Sequence, residues 1–224
     1  MKISKKTFDI LKNFSSIRSS IYVDTGNTIR TVSAAKNIMA EVKVEETFSK
    51  PFAIFDLSKF IATTSLFSDP EYEFDDKFVT VNSSRGGAVQ YFYADEKLVE
   101  KANKTIKMPD LTAEFDLSAS QIAEIQKASS VLQLDTLCIR ANLDTKVIEI
   151  IAFDRKIGLN STSNTYKVQI KADITNYISV YIDIELMKML SDDYKVEIGG
   201  TAVAKFIGDK NGVTYWIALR SDSK

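Results

Sequence analysis

The sequence predicts an α+β protein of two similar halves, each with two amphipathic helices packed on antiparallel sheet. Three observations lead there. Residues 4–17 have a counterpart at 118–131, an offset of 114 in a chain of 224. Both segments place apolar residues at helical spacing, Phe8, Leu11 and Phe14 in one and Ile122, Ile125 and Ala128 in the other. Each then runs into a β-rich stretch, 20–23 and 134–139, and a second helix recurs, opened by Phe55-Asp56-Leu57 and by Ile182-Asp183-Ile184. Two copies of one unit point to a symmetric assembly, which more often serves a shape than a catalytic pocket.

In chain order, the first helix is expected over 4–17 with Ser4 as N-cap. Its apolar side carries Phe8, Leu11 and Phe14, flanked by Ile10 and Ile17; Lys5 and Lys12 share the opposite side with Lys6, Asn13 and one acid, Asp9. Strands follow at 21–23, 28–32, 39–44 and 52–55. Asp56 caps a helix carrying Leu57, Phe60, Ile61 and Phe67 that ends before Asp69-Pro70, and strands at 78–81 and 89–93 close the first half. The domain boundaries are expected at 1–95 for the N-terminal domain, 96–116 for a charged connector holding Pro109, and 117–224 for the C-terminal domain. There a helix at 118–132 buries Ile122, Ile125 and Leu132 with Lys127 on its far side. Strands are expected near 136–141, 147–153, 165–170 and 179–182, a helix near 184–190, and strands at 194–198, 203–207 and 215–219.

The chain has no histidine, so it lacks the commonest general base and metal ligand, and its single cysteine, Cys138, is expected buried in a strand. No catalytic residue, metal or cofactor is expected. Gly86-Gly87 and Gly199-Gly200 read as hairpin turns rather than phosphate loops. The acidic pairs Glu45-Glu46, Asp75-Asp76 and Asp192-Asp193 leave a two-carboxylate hydrolase open on spacing alone, but all three are read at loops or helix ends. Neither a leader peptide nor a membrane-spanning run is apparent, and a cytosolic protein is expected. Net charge is −1, yet Lys5, Lys6, Lys12, Lys59, Lys127 and Lys188 all fall on the four expected helices while acids gather in loops and strand ends. A positive surface on a slightly acidic molecule suits a phosphate backbone held without base readout. A single-stranded nucleic-acid-binding module is the alternative; it needs exposed aromatics, and Tyr91-Phe92-Tyr93 is its best candidate.

Several fragments, in order and spacing, resemble the DNA polymerase sliding clamp of T-even-like tailed phages. They are Met1-Lys2-Ile3-Ser4-Lys5 with Leu11-Lys12-Asn13-Phe14, then Leu132-Gln133-Leu134-Asp135-Thr136, Met187-Lys188-Met189, Ala204-Lys205-Phe206 and Ile217-Ala218-Leu219. The resemblance implies the DNA-clamp fold and a head-to-tail homotrimer closed into a ring of six domains. Helices would line a hole threaded by duplex DNA; the ring would tether the polymerase and be opened by an ATP-driven clamp loader, in the cytoplasm of the infected bacterial host. By the family's layout, subunits would meet through edge strands near Gln90 and Phe92 and near Tyr166 and Val168. A partner pocket is expected beside the connector, walled by Ile106, Met108 and Trp216. The chain departs from the pattern in a connector with only Pro109 and in Arg220 where an acid is expected.

Overall fold

The computed structural model describes residues 1–102, 106–159, 162–172, 174 and 176–224; residues 103–105 of the expected connector lie outside it. Two compact units emerge, Met1–Lys104 and Thr105–Lys224.

The first unit opens with α1 (Lys5–Ile17), whose N-cap Ser4 accepts the Thr7 amide and whose buried side is Thr7, Ile10, Leu11, Phe14 and Ile17. α1 packs over β2 (Gly26–Val32) and β3 (Ile38–Phe48), an antiparallel pair. β1 (Ile21–Val23) pairs with β4 (Phe52–Ile54). α2 (Leu57–Thr64) starts at Asp56, which accepts the Lys59 amide at 2.8 Å, and packs against α1. It stops short of the expected Phe67 because the Thr64 and Ser65 hydroxyls both turn back to the Ile61 carbonyl. A three-stranded sheet follows, β5 (Glu71–Phe74), β6 (Phe78–Asn82) and β7 (Ala88–Phe92), in that order. β5, Glu-Tyr-Glu-Phe, was not expected as a strand; its polar and aromatic residues alternate, but over only four positions.

The second unit begins with β8 (Leu111–Leu117), a strand made, Leu117 apart, of residues assigned above to the connector. α3 (Ala119–Leu132) follows with a capping box between Ser118 and Gln121. It buries Ile122, Ile125 and Ser129; Leu132, expected inside, is exposed, and the Ser129 hydroxyl bonds back to the Ile125 carbonyl instead. α3 lies on a sheet of order β11-β10-β9-β12, built from β9 (Thr136–Asn142), β10 (Val147–Phe153), β11 (Thr165–Lys171) and β12 (Ser179–Asp183). The free thiol of Cys138 is buried there. β13 (Tyr194–Gly199) pairs with β8 and with β14 (Val203–Gly208), which pairs with β15 (Thr214–Ala218). The glycine pairs do sit at hairpin turns: Gly86 and Gly200 have φ of 87° and 54°, open to glycine at little cost.

The helix expected near 184–190 is absent. A single 3-10 turn, Ile184–Leu186, stands there, followed by an inverse γ-turn in which the Lys188 amide reaches the Leu186 carbonyl at 2.7 Å with Met187 at φ −74°, ψ 46°. Leu186 and Met187 are both buried, and the Gln126 side chain of α3 donates to the Met187 carbonyl at 3.1 Å.

Candidate nucleic-acid interface

α1 and α3 are each held at the N-terminus by a carboxylate distant in sequence. In the first unit, Glu46 of β3 accepts the Ser4 amide and the Thr7 hydroxyl, the latter at 2.6 Å. Burial pushes its carboxyl pKa up, but the Ser4 amide and Thr7 hydroxyl outweigh that and hold it below the ordinary value. In the second unit, Asp193 accepts the Ala119 amide at 2.8 Å, and that bond holds its carboxyl down. Its neighbour Asp192, buried, takes the amides of Lys210 and Asn211. Asp76 pairs with Lys50. The acidic pairs thus serve as helix anchors, a loop cap and an ion pair. Glu45-Glu46 lies within β3, not at a loop or helix end as the sequence suggested.

So anchored, α1 presents Lys5, Lys6 and Lys12 to solvent, opposite Ile10 and Phe14, with Lys12 near Asp9 at 3.7 Å. Lys59 is exposed on α2 and Lys127 on α3. Lys5, Lys59 and Lys127 have no ion-pair partner among the described residues, so their charge is available to an outside anion. Lys188 is exposed as well, but on the loop after the 3-10 turn rather than on a helix. A cleft of about 870 Å³ opens beside the start of α1, lined by Lys2, Lys5 and Lys12 among others.

Tyr91-Phe92-Tyr93 forms no stacking platform. Tyr91 packs edge-on to Phe60 at 5.3 Å and donates to the Asp56 carbonyl; Tyr93 stacks on Phe52 at 5.6 Å. Phe92 alone faces outward, 64% exposed, beside Phe78.

Gln90 and Phe92 lie on β7, the terminal strand of its sheet, and Tyr166 and Val168 on β11, the terminal strand of its own. The pairing alternation says which backbone groups face outward. Ser83 and Tyr93 donate across the β6–β7 register to Gly87 and Lys77, so Ala88, Gln90 and Phe92 point their N–H and C=O groups away from β6. Ala172 donates to Lys146 in the β10–β11 register, so Thr165, Lys167, Gln169 and Lys171 are the outward-facing residues of β11. Tyr166 and Val168 instead bond inward to β10. The opposite edges are closed by the chain itself. Met1 exchanges both backbone bonds with Tyr72 of β5, and Lys224 does the same with Ser179 of β12, where Arg220 also donates to Tyr181. These two sheets therefore each have one edge covered and one left open among the described residues.

Ile106, Met108 and Trp216 are half-buried. Gly199 seats the connector: a Cβ there would stand 2.8 Å from Pro109 Cδ and 3.0 Å from Met108 Cε. Trp216 lies in the adjoining cross-strand row, in register with Lys205, which pairs with Glu197 at 2.9 Å. Its indole Nε1 is enclosed with no hydrogen-bond partner among the described residues.

Residues 114–221 match the family model described as gp45 sliding clamp, C terminal. The chain is 30% identical over 230 residues to the sliding clamp of Escherichia phage RB69, covering 100% of this chain and 98% of the relative. It is 29% identical over 225 residues to the sliding clamp of Vibrio phage KVP40, covering 99% and 100%. Among solved structures it is similar to A. fulgidus PCNA bound to the C-terminal region of FEN-1, with a TM-score of 0.69 and 15% identity, over 97% of this chain and 96% of that one. At that identity the likeness speaks for the fold.

Proposed function

The chain belongs to the sliding-clamp family of T4-like phages and is a DNA sliding clamp; we propose that it closes head to tail as a homotrimer around duplex DNA and so tethers the replicative polymerase. The observation that carries this reading is the pair of open edges. A lone subunit that leaves β7 and β11 unpaired invites a partner at each, and a contact between unlike edges closes into a ring when the rotation allows. A closed ring leaves neither of these two edges exposed.

The lysines of α1, α2 and α3 supply sequence-independent attraction to phosphates, which suits a ring that must move along its track. With Lys188 off the helices, its place at that surface is the weakest of the six. The clamp acts by tethering and performs no catalysis. An ATP-driven loader opens the ring, a division of labour that agrees with the lack of a phosphate-cradling glycine loop in this sequence. The A. fulgidus clamp holds a C-terminal segment of its partner. By analogy, the polymerase docks a short tail on the apolar face beside the connector, where Ile106, Met108 and Trp216 stand. The site of action is the cytoplasm of the infected host.

Sedimentation over a dilution series tests the assembly, together with retention on circular and linear duplexes. A trimer that dissociates on dilution, and that slides off linear but not circular DNA once loaded, is expected. A monomer at all concentrations, or equal retention on both DNAs, overturns the reading.

A further inference from the structure

The open edge of β11 carries two lysines, Lys167 and Lys171, and an edge lysine ordinarily blocks strand pairing. Lys167 is handled differently here. Glu149, on β10 and 4% exposed, accepts Lys167 Nζ at 2.8 Å and Gln169 Nε2 at 2.9 Å on one carboxylate oxygen, and Arg140 Nε of β9 at 2.7 Å on the other. Lys167 and Gln169 are the two central residues of β11 whose backbone groups face the open edge. One buried carboxylate thus ties down both side chains at the middle of that edge.

We propose that Glu149 is a positioning residue for ring closure: by drawing the Lys167 and Gln169 side chains back over the sheet, it holds β11 ready to pair with β7 of a second copy. The inference rests on the reading that β7 and β11 are the closing edges.

Two physical effects follow. The Lys167 ammonium is neutralised within the subunit, so pairing does not have to bury an unpaired charge. The strand is also ordered before the second copy arrives, which lowers the entropy lost on association. Arg140 anchors the carboxylate from the other side, so the tie does not depend on β11 alone.

The test compares the monomer–trimer equilibrium, by sedimentation over a dilution series, with amide hydrogen exchange of β11 in the dilute monomer. Glu149→Gln removes the charge at constant shape. The double variant Lys167→Met with Gln169→Val leaves Glu149 its Arg140 partner and removes only the ties to β11. In both, trimer dissociation is expected to rise about tenfold or more, the loss of one charge-assisted contact, with faster exchange in β11 and unchanged exchange in β9. If Glu149→Gln does not fold, the double variant decides alone. A folded variant whose trimer and β11 exchange match the wild type overturns the proposal. Gln169→Pro separates the two levels of inference, since it removes one outward N–H where proline is tolerated. A trimer that persists in Gln169→Pro shows that β11 is not the closing edge, and the role of Glu149 falls with it. A monomeric Gln169→Pro beside an undisturbed double variant sinks the Glu149 proposal alone.

Discussion

Glu149 shows how one side chain carries information that its neighbours in sequence do not. In the run Val147-Ile148-Glu149-Ile150-Ile151 it is a charge among aliphatics, legible as a strand residue but not as the hub of a cross-strand network. Its partners lie 9, 18 and 20 positions away, on two other strands. The Lys167 bond, then the Gln169 bond, hold its carboxyl at about 2 against an ordinary 4.5, with burial opposing. A depressed folded pKa gives stability that is full above the unfolded value and is lost as pH falls through the folded one. The gain at neutral pH is at most about 3 kcal/mol, reduced by the water that reaches the Arg140 and Lys167 ends. Urea unfolding of wild type and Glu149→Gln at several pH values is expected to show a constant stability gap above pH 4.5 that shrinks as pH drops towards 2. A gap that is the same at pH 3 as at pH 6 contradicts this account. Glu46 and Asp193 teach the same lesson. Each is one of an adjacent acidic pair in sequence, and only the folded register shows which member reaches a helix N-terminus.

At the scale of elements, α1 and α3 were legible because cap, period and length agree: Ser4 and Ser118 start them and the apolar spacing sustains them. The stretch after Asp183 carries apolar residues at a spacing compatible with a helix, yet it folds as one 3-10 turn and a γ-turn whose Met187 carbonyl is taken by Gln126 of α3, a tertiary contact that the local sequence does not announce. The open edges were legible as strands, and their outward groups were not. A strand's period of two is visible in sequence, but which parity bonds to the neighbour depends on register, set by turns. That distinction gives the next prediction. Gln90→Pro removes an outward N–H and is expected to yield folded monomers. Val168→Pro instead deletes a bond to Ile150 within the subunit's own sheet, and is expected to destabilise the fold itself by about 3 kcal/mol or more. Thermal unfolding and sedimentation of the pair check this; the reverse pattern means the inward and outward parities have been exchanged.

For the whole molecule, the repeat at offset 114 is the feature that made the architecture readable. It appears in the folded chain as two units, each with a lysine-bearing helix anchored by a carboxylate distant in sequence and a sheet with one edge covered and one open. Function at this scale depends on charge placement rather than on total charge, since the net is only −1. Lys5 and Lys12 are seven positions apart on α1, one stripe of the helix, and neither takes part in the core. Reversing both changes the charge of each subunit by −4, or −12 over a trimer, while Glu46, Ser4 and Thr7 keep the helix in place. Lys5→Glu with Lys12→Glu is therefore expected to leave unfolding and trimer formation unchanged. Loading and processive synthesis are expected to fall, and to fall further as salt is lowered, because repulsion from phosphates is then less screened. The wild type is expected to show the opposite trend, gaining at low salt. Primer extension on a circular template across a salt series reads both trends at once. Equal processivity of variant and wild type at near-physiological salt removes the α1 lysines from the DNA-facing surface and leaves Lys59 and Lys127 as its remaining helix-borne candidates.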